Sequence, residues 1–167
     1  MDTDSIKRIG VISDTHGLLR DEAIVALRDS QLIIHAGDIG SPDVLTRLGA
    51  IAPVHAVRGN NDRDEWARAI PETTAVEVGA FTIYVLHDLA ELDIDPRAAQ
   101  FSAVISGHSH KPRIDQRDNV LYLNPGSAGP RRFNLPIAVV LLRVGRNGLE
   151  PEIVELRGTK SSAASSR

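Results

Sequence analysis

The first half of the chain carries short aliphatic runs that are apolar along almost their whole length rather than at alternate positions. Ile9–Ser13 and Leu32–Ala36 are two such runs. Continuous hydrophobicity of this kind is typical of strands that are covered on both faces, as in a parallel sheet. Between these runs, Asp21–Asp29 places Ala23, Ile24 and Leu27 on one face of a helix. The pattern therefore predicts alternating strands and helices in this half of the chain.

Eight runs along the chain are predicted as strands, because they are rich in aliphatic residues and end in small or polar ones. They are Ile9–Ser13, Leu32–Ala36, Val54–Val57, Phe81–Leu86, Ala103–Ser106, Val120–Leu123, Ile137–Val144 and Ile153–Leu156. A second helix is predicted after Ser41-Pro42, where an N-cap residue precedes proline at the first helical position. Weaker helix patterns cover Asp64–Ile70 and Asp95–Phe101.

The second half of the chain is organised differently, since strands follow one another after about residue 112. Gly126-Ser127 and Asn147-Gly148 are predicted turns, and Asn-Gly between apolar strands strongly favours a β-hairpin. An α/β half followed by antiparallel strands predicts a mixed pair of β-sheets with helices outside. For 167 residues we expect one domain over 1–158 and a disordered, low-complexity tail over 159–167.

Composition excludes several kinds of site. The chain has no cysteine, which rules out a disulfide framework, a cysteine-ligated metal and a thiol nucleophile. The net charge is −3 and no basic stripe is present, so a large nucleic-acid interface is not expected. No run approaches the about 20 apolar residues of a membrane span, which predicts a soluble, cytoplasmic protein without a membrane partner. Whether the chain forms a homo-oligomer stays open.

Side chains that can bind metals lie just after the predicted strands. Each of seven follows the carboxyl end of a strand, and these seven are Asp14, His16, Asp38, Asn60, His87, His108 and His110. In open α/β sheets this edge is where ligands bind, so residues that are distant in sequence converge there. We therefore expect the seven side chains to form one metal site.

Seven ligands are too many for one tetrahedral ion, but they suit two ions. A ligand shared by two ions must be a carboxylate, such as Asp38, because its two oxygens can serve both at once. Two metals about 3.5–4 Å apart hold a hydroxide at neutral pH and clamp the oxygens of a phosphoryl group. The residues thus favour a dinuclear hydrolase.

The order of these motifs resembles a known family. Its members carry five motifs that are similar to Asp14-Thr15-His16, Gly37-Asp38, Gly59-Asn60-Asn61-Asp62, His87 and Gly107-His108-Ser109-His110. This is the pattern of the calcineurin-like metallophosphoesterases. Ile34–Asp38, Asn124-Pro125-Gly126-Ser127 and the short length resemble its small YfcE-like phosphodiesterase branch. The resemblance extends from residue 9 to about residue 143.

The resemblance implies an α/β/β/α sandwich, in which two packed mixed β-sheets are flanked by helices. It also implies a metal-dependent phosphodiesterase that acts on a small phosphoester through a dinuclear site with a bridging hydroxide nucleophile. The first ion is expected at Asp14, His16, Asp38 and His110, and the second at Asp38, Asn60, His87 and His108. Such ligands suit Mn²⁺, Ni²⁺, Fe or Zn²⁺, and Mn²⁺ is the expected ion.

Two positions depart from the family pattern. The larger family has His where this chain has Asn61, and the small branch commonly lacks that His too. Asn61 and His108 are the expected catalytic residues, and Asn61 and Arg131 the expected substrate contacts. Asn61 donates a hydrogen bond but no proton, which favours diesters with good leaving groups. Asp88 follows His87 where the family has Gly, next to the second ion.

Other interpretations stay open. The alternative functions are a phosphomonoesterase and a non-catalytic interaction module on the same fold, as in the retromer scaffold subunit. The complete set of seven ligands favours the enzyme, and the sequence has no Gly-rich phosphate loop that would indicate a nucleotide-binding protein. His35 and His55 are expected to be ordinary hydrogen-bonded residues, and Asp62 and Asp64 to cap the helix that follows them.

Overall fold

Two five-stranded β-sheets face each other in the computed structural model, which describes residues 3–157. The first sheet contains β1 (Arg8–Ile12), β2 (Leu32–His35), β3 (Val54–Ala56), β9 (Ala138–Val144) and β10 (Leu149–Glu155), in the order β10-β9-β1-β2-β3. The second sheet contains β4 (Thr73–Val78), β5 (Phe81–Leu86), β6 (Ala103–Ile105), β7 (Arg113–Arg117) and β8 (Val120–Asn124), in the order β4-β5-β6-β8-β7.

Both sheets are mixed. In the first sheet β1, β2 and β3 run parallel, whereas β9 and β10 are antiparallel to their neighbours. In the second sheet β5, β6 and β8 run parallel, and β4 and β7 are antiparallel edge strands. The predicted pair of mixed sheets is confirmed.

The core between the two sheets is aliphatic. Alternate residues of facing strands point into it, among them Ile9 and Val11 of β1 and Ile83 and Val85 of β5. These four side chains are at most 1% exposed. Because protein interiors are close-packed, this core fixes the relative positions of the strand ends that carry the polar residues.

Helices cover the outer face of the first sheet. Leu27 of α1 (Asp21–Leu27) and Leu48 of α2 (Pro42–Gly49) pack with Ile33 of β2. Both helices were predicted, and the Ser41 side chain accepts a hydrogen bond from Asp43 N as the expected N-cap. The outer face of the second sheet is covered instead by the chain around Leu89–Glu91, a single 3-10 turn.

The sequence-based boundaries were wrong in several places. The weak helix pattern over Asp64–Ile70 forms a 3-10 helix at Glu65–Ala69, and Asp95–Phe101 forms a hydrogen-bonded turn. Strands β4 and β7 were not predicted. The predicted hairpin joins β9 to β10 through Gly145–Gly148, so β10 begins earlier than expected.

The expected tail over residues 159–167 lies outside the described residues. In the part of the chain that the structure describes, no helix is long and apolar enough to span a bilayer.

Candidate metal centre

Backbone hydrogen bonds join the loop after β1 to the loop after β2, and the loop after β5 to the loop after β6. Asp14 N donates to Gly37 O and His16 N donates to Asp38 O, each over 2.9 Å. Gly107 N likewise donates to His87 O over 2.9 Å. Two further bonds, between His87 Nδ1 and Ala36 O and from His108 N to Asp14 Oδ2, connect the loops of the two sheets.

Five of the seven expected ligands meet in one compact cluster. Asp14 Oδ1 lies 3.3 Å from His110 Nε2, 3.8 Å from His16 Nε2 and 3.9 Å from His87 Nε2. Asp38 Oδ2 lies 3.7 Å from His16 Nε2 and 3.3 Å from His87 Nε2. Both carboxylates therefore lie among the histidines, and Asp14 as well as Asp38 contacts residues expected at both ions.

The polar atoms of this cluster fit divalent cations. Four buried side-chain atoms lack a hydrogen-bond partner among the described residues, and they are Asp14 Oδ1, His16 Nε2, His87 Nε2 and His110 Nδ1. A buried polar group left unsatisfied costs about 1–3 kcal/mol, so such atoms are expected to have a partner in the native protein. Carboxylate oxygens and imidazole nitrogens are ligands of Mn²⁺ and Zn²⁺.

These donors form two overlapping groups. One contains Asp14, His16 and His110, and the other Asp14, Asp38 and His87, with one ligand atom per residue and all atoms within 4.8 Å of one another. Asp14 belongs to both groups and Asp38 only to the second, and each group has donors that could hold a metal ion.

The ring of His87 is oriented by a backbone carbonyl. Its Nδ1 lies 2.7 Å from Ala36 O, so Nδ1 carries the proton that it donates, and Nε2 points at the carboxylates. A metal-binding histidine is commonly held by such a bond on its other nitrogen. The tautomer of His87 therefore suits ligation through Nε2.

Charge interactions in the cluster are strong. Burial by itself lowers the pKa of His87. The Asp38 carboxylate beside it and the charge of Asp14 have the larger effect, so the pKa is raised to about 9. Burial raises the pKa of Asp38, but His87 and the backbone N–H of Asn61 lower it more, to about 2. The cluster is thus negatively charged enough to hold a proton on His87 at neutral pH, and a metal ion competes with that proton.

The backbone is unusual at the expected ligands. Nine non-glycine residues among 3–157 have positive φ, and five of them are expected ligands: Asp14 (55°), His16 (47°), Asp38 (56°), His108 (73°) and His110 (64°). Left-handed backbone costs non-glycine residues of order 1–3 kcal/mol and is concentrated at functional sites. The surrounding hydrogen bonds hold these residues in conformations that aim their side chains inward.

The other two expected ligands lie at the border of the cluster. His108 is exposed; its Nε2 is 3.8 Å from Asp88 Oδ2, and its ring lies 5.2 Å from that of His87, measured between centroids. Asn60 is also exposed, and together with His87 it lines an open cleft of about 490 Å³. The structure therefore does not bring Asn60 and His108 into the compact cluster.

The two expected substrate contacts have different positions. Asn61 donates from its backbone N to Asp38 Oδ1 (2.9 Å) and from Nδ2 to Asp38 Oδ2 (3.1 Å), so it lies at the expected bridging carboxylate. Arg131 is exposed and its guanidinium donates to Leu135 O within its own loop. Within residues 3–157, the Arg131 side chain makes no hydrogen bond or ion pair with the cluster.

His35 lies behind the cluster as a hydrogen-bonded core residue. Its Nδ1 accepts from Gly37 N (3.1 Å), and its Nε2 donates to Thr15 Oγ1 (3.0 Å), which in turn donates to Ile39 O. Burial lowers the pKa of His35 to about 4. The ring is therefore neutral at physiological pH and joins the loop of Asp14 to the loop of Asp38. The other histidine that is not an expected ligand, His55, is exposed.

The expected capping role of Asp62 and Asp64 was wrong. Asp62 is buried, and its carboxylate accepts from Ile39 N, Gly40 N and Gly59 N over 2.9–3.0 Å instead of from the helix that follows. Asp64 stands at the N-cap of that 3-10 helix but its side chain makes no capping bond. The Gly-Asn-x-Asp motif was the available signal that Asp62 belongs to the site.

Asn124 and Ser127 support the loops from the opposite side. Asn124 Nδ2 donates to Gly107 O (2.9 Å) and to Ser109 Oγ (3.1 Å), next to His108 and His110. Ser127 Oγ donates to Asp14 O over 3.0 Å. The Asn-Pro-Gly-Ser motif thus holds the loops of three expected ligands, a role that its composition alone did not reveal.

Two glycines allow the loops to approach the carboxylates. A Cβ at Gly59 would collide with Oδ1 of Asp38, and a Cβ at Gly107 would collide with Oγ of Ser13. Any other residue at these positions would push the strand ends apart.

Comparison with known proteins identifies related chains. The Calcineurin-like phosphoesterase superfamily domain matches residues 8–147. A probable metallophosphoesterase of Methanothermobacter thermautotrophicus is 35% identical over 158 residues, which cover 87% of this chain and 91% of that protein. A phosphodiesterase of Methanocaldococcus jannaschii is 30% identical over 152 residues, which cover 80% of this chain and 92% of that protein.

Solved structures share the fold. A structure described as a novel archaeal phosphodiesterase has a TM-score of 0.73 at 25% identity and covers 88% of this chain and 99% of its own. The phosphoesterase YfcE of E. coli has a TM-score of 0.65 at 20% identity, with coverages of 90% and 100%. Vps29 of Entamoeba histolytica, solved with Zn²⁺, has a TM-score of 0.68 at 22% identity, with coverages of 90% and 99%.

Proposed function

This chain belongs to the calcineurin-like phosphoesterase superfamily, and from that premise we propose that it is a metal-dependent phosphodiesterase with a dinuclear centre. The observation that carries the proposal is the convergence of three histidines with unpartnered buried nitrogens, His16, His87 and His110, on the carboxylates of Asp14 and Asp38. A relative with 30% identity is named a phosphodiesterase, which supports the reaction class.

The residues proposed to hold the ions are those expected from the family. Asp14, His16 and His110 would hold the first ion, Asn60, His87 and His108 the second, and Asp38 both. When bound, the two ions would supply a bridging hydroxide as nucleophile and neutralise charge on the phosphoryl oxygens. The buried and hydrogen-bonded members, Asp14 and His87, are held in place before any ion binds.

Asn61 supports the choice of a diester. Its amide group lies on Asp38, at the centre of the site, where it is able to donate a hydrogen bond to a phosphoryl oxygen. An amide has no acidic proton for an alkoxide leaving group, and a general acid contributes about 10²–10⁴-fold to such reactions. We therefore propose small diesters with good leaving groups as preferred substrates. Arg131, on its exposed loop, is proposed as a second substrate contact.

The remaining parts of the proposal concern the ion and its setting. Mn²⁺ is proposed as the ion because mixed His, Asp and Asn ligands suit it and because metal availability generally decides between similar ions. A cytoplasmic location is proposed because no apolar run of the sequence is long enough to span a membrane. A single domain over 1–158 is proposed from the length of the chain.

A non-catalytic interaction module is the second candidate. The similarity of fold to Vps29, together with Asn61 in place of the family's His, favours it. Such a module would bind metal and hydrolyse nothing. The two functions thus differ in turnover and not in metal content.

Hydrolysis by the metal-stripped and reconstituted protein tests the proposal. The protein is treated with EDTA, dialysed, and assayed with bis(p-nitrophenyl) phosphate and p-nitrophenyl phosphate before and after addition of Mn²⁺. We expect no turnover without metal, and turnover of the diester above that of the monoester with Mn²⁺. Binding of Mn²⁺ without turnover of either ester would instead support the interaction module.

A further inference from the structure

Asp62 lies beneath the candidate metal centre with its carboxylate surrounded by backbone N–H groups. Only 3% of the residue is exposed. Oδ2 accepts from Ile39 N (3.0 Å) and Gly59 N (2.9 Å), and Oδ1 accepts from Gly40 N (3.0 Å). Hydrogen bonds to a charged acceptor are roughly twice as strong as those between neutral groups, so this carboxylate firmly fixes the backbone around it.

The amides that Asp62 holds belong to the neighbours of two proposed ligands. Ile39 follows Asp38 in the chain, and Gly59 precedes Asn60. Asn61 adds two bonds from the same segment to the carboxylate of Asp38. Residues 59–62 therefore reach the loop 38–40 through four hydrogen bonds, two from Asn61 and two to Asp62.

The other half of the centre has separate supports. Ser127 Oγ donates to Asp14 O, and Asn124 Nδ2 donates to the loop that carries His108 and His110. None of the hydrogen bonds to the Asp62 side chain involves these residues. The Asp62 carboxylate therefore supports Asp38 and Asn60, whereas Asp14 and His110 of the first ion are supported elsewhere, and the loop of His108 shares the support of Asn124.

We propose that Asp62 is a positioning residue that aligns Asp38 and Asn60 for the second ion. This inference rests on the proposed dinuclear function. Asp62 touches no ion and no substrate, and it acts through the backbone of the loops on which the ligands stand. Removal of a partner that orients metal ligands typically lowers metal affinity by about 10–100-fold. We expect that loss at the second ion, with a smaller effect on the first.

A purely structural role would have a different signature. If Asp62 only stabilised the fold, its substitution would lower the melting temperature, and both ions would still bind normally at temperatures where the variant is folded. Selective weakening of one ion is therefore the readout that separates positioning from stabilisation.

The experiment is a titration with Mn²⁺ alone by calorimetry, on the full chain stripped of metal, well below its melting temperature. Asp62→Asn keeps the shape of the side chain but turns one acceptor into a donor that faces an N–H group. Asp64→Asn is the matched control, because the same chemical change is made two residues away at an exposed side chain without a capping bond. Circular dichroism and melting curves in EDTA show whether each variant is folded.

We expect the wild type and Asp64→Asn to bind two Mn²⁺ ions. Asp62→Asn should bind one ion with near wild-type affinity and the other about 10–100-fold more weakly. Wild-type binding of both ions by a folded Asp62→Asn, or equal weakening of both ions, would overturn the inference. If Asp62→Asn is unfolded, Asp62→Glu is titrated in its place with the same expectation; if both are unfolded, Asp62 serves folding alone and the positioning role is rejected. A wild type that binds fewer than two ions refutes the dinuclear proposal itself, which is a separate outcome.

Discussion

The two halves of the candidate centre differ in their enclosure. In the first half Asp14 and His110 are buried and lie 3.3 Å apart, and His16 is partly buried beside them. In the second half only His87 is buried, whereas Asn60 and His108 are exposed. The first half is thus enclosed, whereas Asn60 and His87 of the second half line an open cleft.

The difference arises from how each half is anchored across the two sheets. Asp14 Oδ2 accepts from Ser13 Oγ (2.7 Å) and from His108 N (3.0 Å), so the first half is tied from β1 to the loop after β6. The second half is tied through the bond between His87 Nδ1 and Ala36 O. Within residues 3–157 the side chains of Asn60 and His108 make no hydrogen bond, and His108 Nε2 only approaches Asp88 Oδ2, to 3.8 Å. The side chains of the first half are therefore enclosed, whereas in the second half the hydrogen bonds of residues 59–62 hold Asp38 and the backbone and leave the side chains of Asn60 and His108 exposed.

Substitution at Asp38 should have the largest effect, because this carboxylate lies between the halves. Asp38→Ala is expected to lower turnover of bis(p-nitrophenyl) phosphate by more than about a hundredfold. Loss of a residue that only orients a metal ligand already lowers metal affinity or activity by about 10–100-fold, and Asp38 is a proposed ligand. Assays at saturating Mn²⁺ measure it, with Asp43→Ala, an exposed aspartate in α2, as control. A folded Asp38→Ala with full metal content and near-normal turnover would mean that the halves do not share this ligand.

Acid should destabilise the protein through His35, which lies behind both halves. Its pKa in the folded protein, about 4, is below its ordinary value of 6.5. The unfolded chain therefore binds the proton first, and stability is lost as the pH falls from 6.5 toward 4. At pH 5 this proton uptake lowers the free energy of unfolding by about 2 kcal/mol.

Urea unfolding in EDTA at pH 7.5 and pH 5 measures this loss. Between the two pH values, the free energy of unfolding of the wild type should fall by about 2 kcal/mol more than that of His35→Gln. His55→Gln, a substitution at an exposed histidine, should behave as the wild type. Equal losses in the wild type and His35→Gln would show that His35 is not held neutral beneath the centre.

The enclosed half should tolerate the loss of a histidine less well than the open half. His110 is 3% exposed, whereas the side chain of His108 is 46% exposed and solvent is able to replace it. We expect His110→Ala to need about tenfold more Mn²⁺ than His108→Ala for half-maximal hydrolysis. The measurement is a Mn²⁺ titration of diester turnover for both variants. The same Mn²⁺ requirement in both would remove the distinction between the halves.

The smallest expected effect concerns the leaving group. Asn61→His places beside Asp38 a group that is able to donate a proton. Because the surroundings are not adapted to the pKa of the new histidine, we expect only about threefold faster hydrolysis of an alkyl monoester such as glycerol phosphate. Turnover of bis(p-nitrophenyl) phosphate should not increase, because nitrophenolate leaves without a proton. Wild-type turnover of glycerol phosphate as fast as that of the diester would show that another group is the acid.

Much of the fold could be predicted from the sequence, because the inner strands carry continuous apolar runs. β4 and β7 escaped prediction since they are edge strands; Thr73–Val78 alternates in burial, and only one residue of Arg113–Arg117 is not exposed. The β7–β8 turn also lacks glycine, and Asp118 and Asn119 adopt the positive φ values instead (52° and 65°). An edge strand is stabilised mainly by pairing with its neighbour, so its own sequence shows only a weak strand pattern.

The parts of the site that lie directly after strands were predictable from the sequence. The convergence of Asp14, Asp38 and His87 follows from their positions after parallel strands, and their roles as metal ligands stay a prediction. The Gly-Asn-x-Asp motif places Asp62 next to the site, but its contacts were not predictable, because a buried aspartate that accepts three amides and an aspartate that caps a helix have the same local pattern. Only the tertiary position of residues 38–40 distinguishes them.

The most direct test of the dinuclear proposal is an anomalous difference map from crystals grown with Mn²⁺. We predict two peaks about 3.5–4 Å apart, the first beside Asp14, His16 and His110 and the second beside His87, with Asp38 bound to both. A single peak, or two peaks of which neither contacts Asp38, would contradict it.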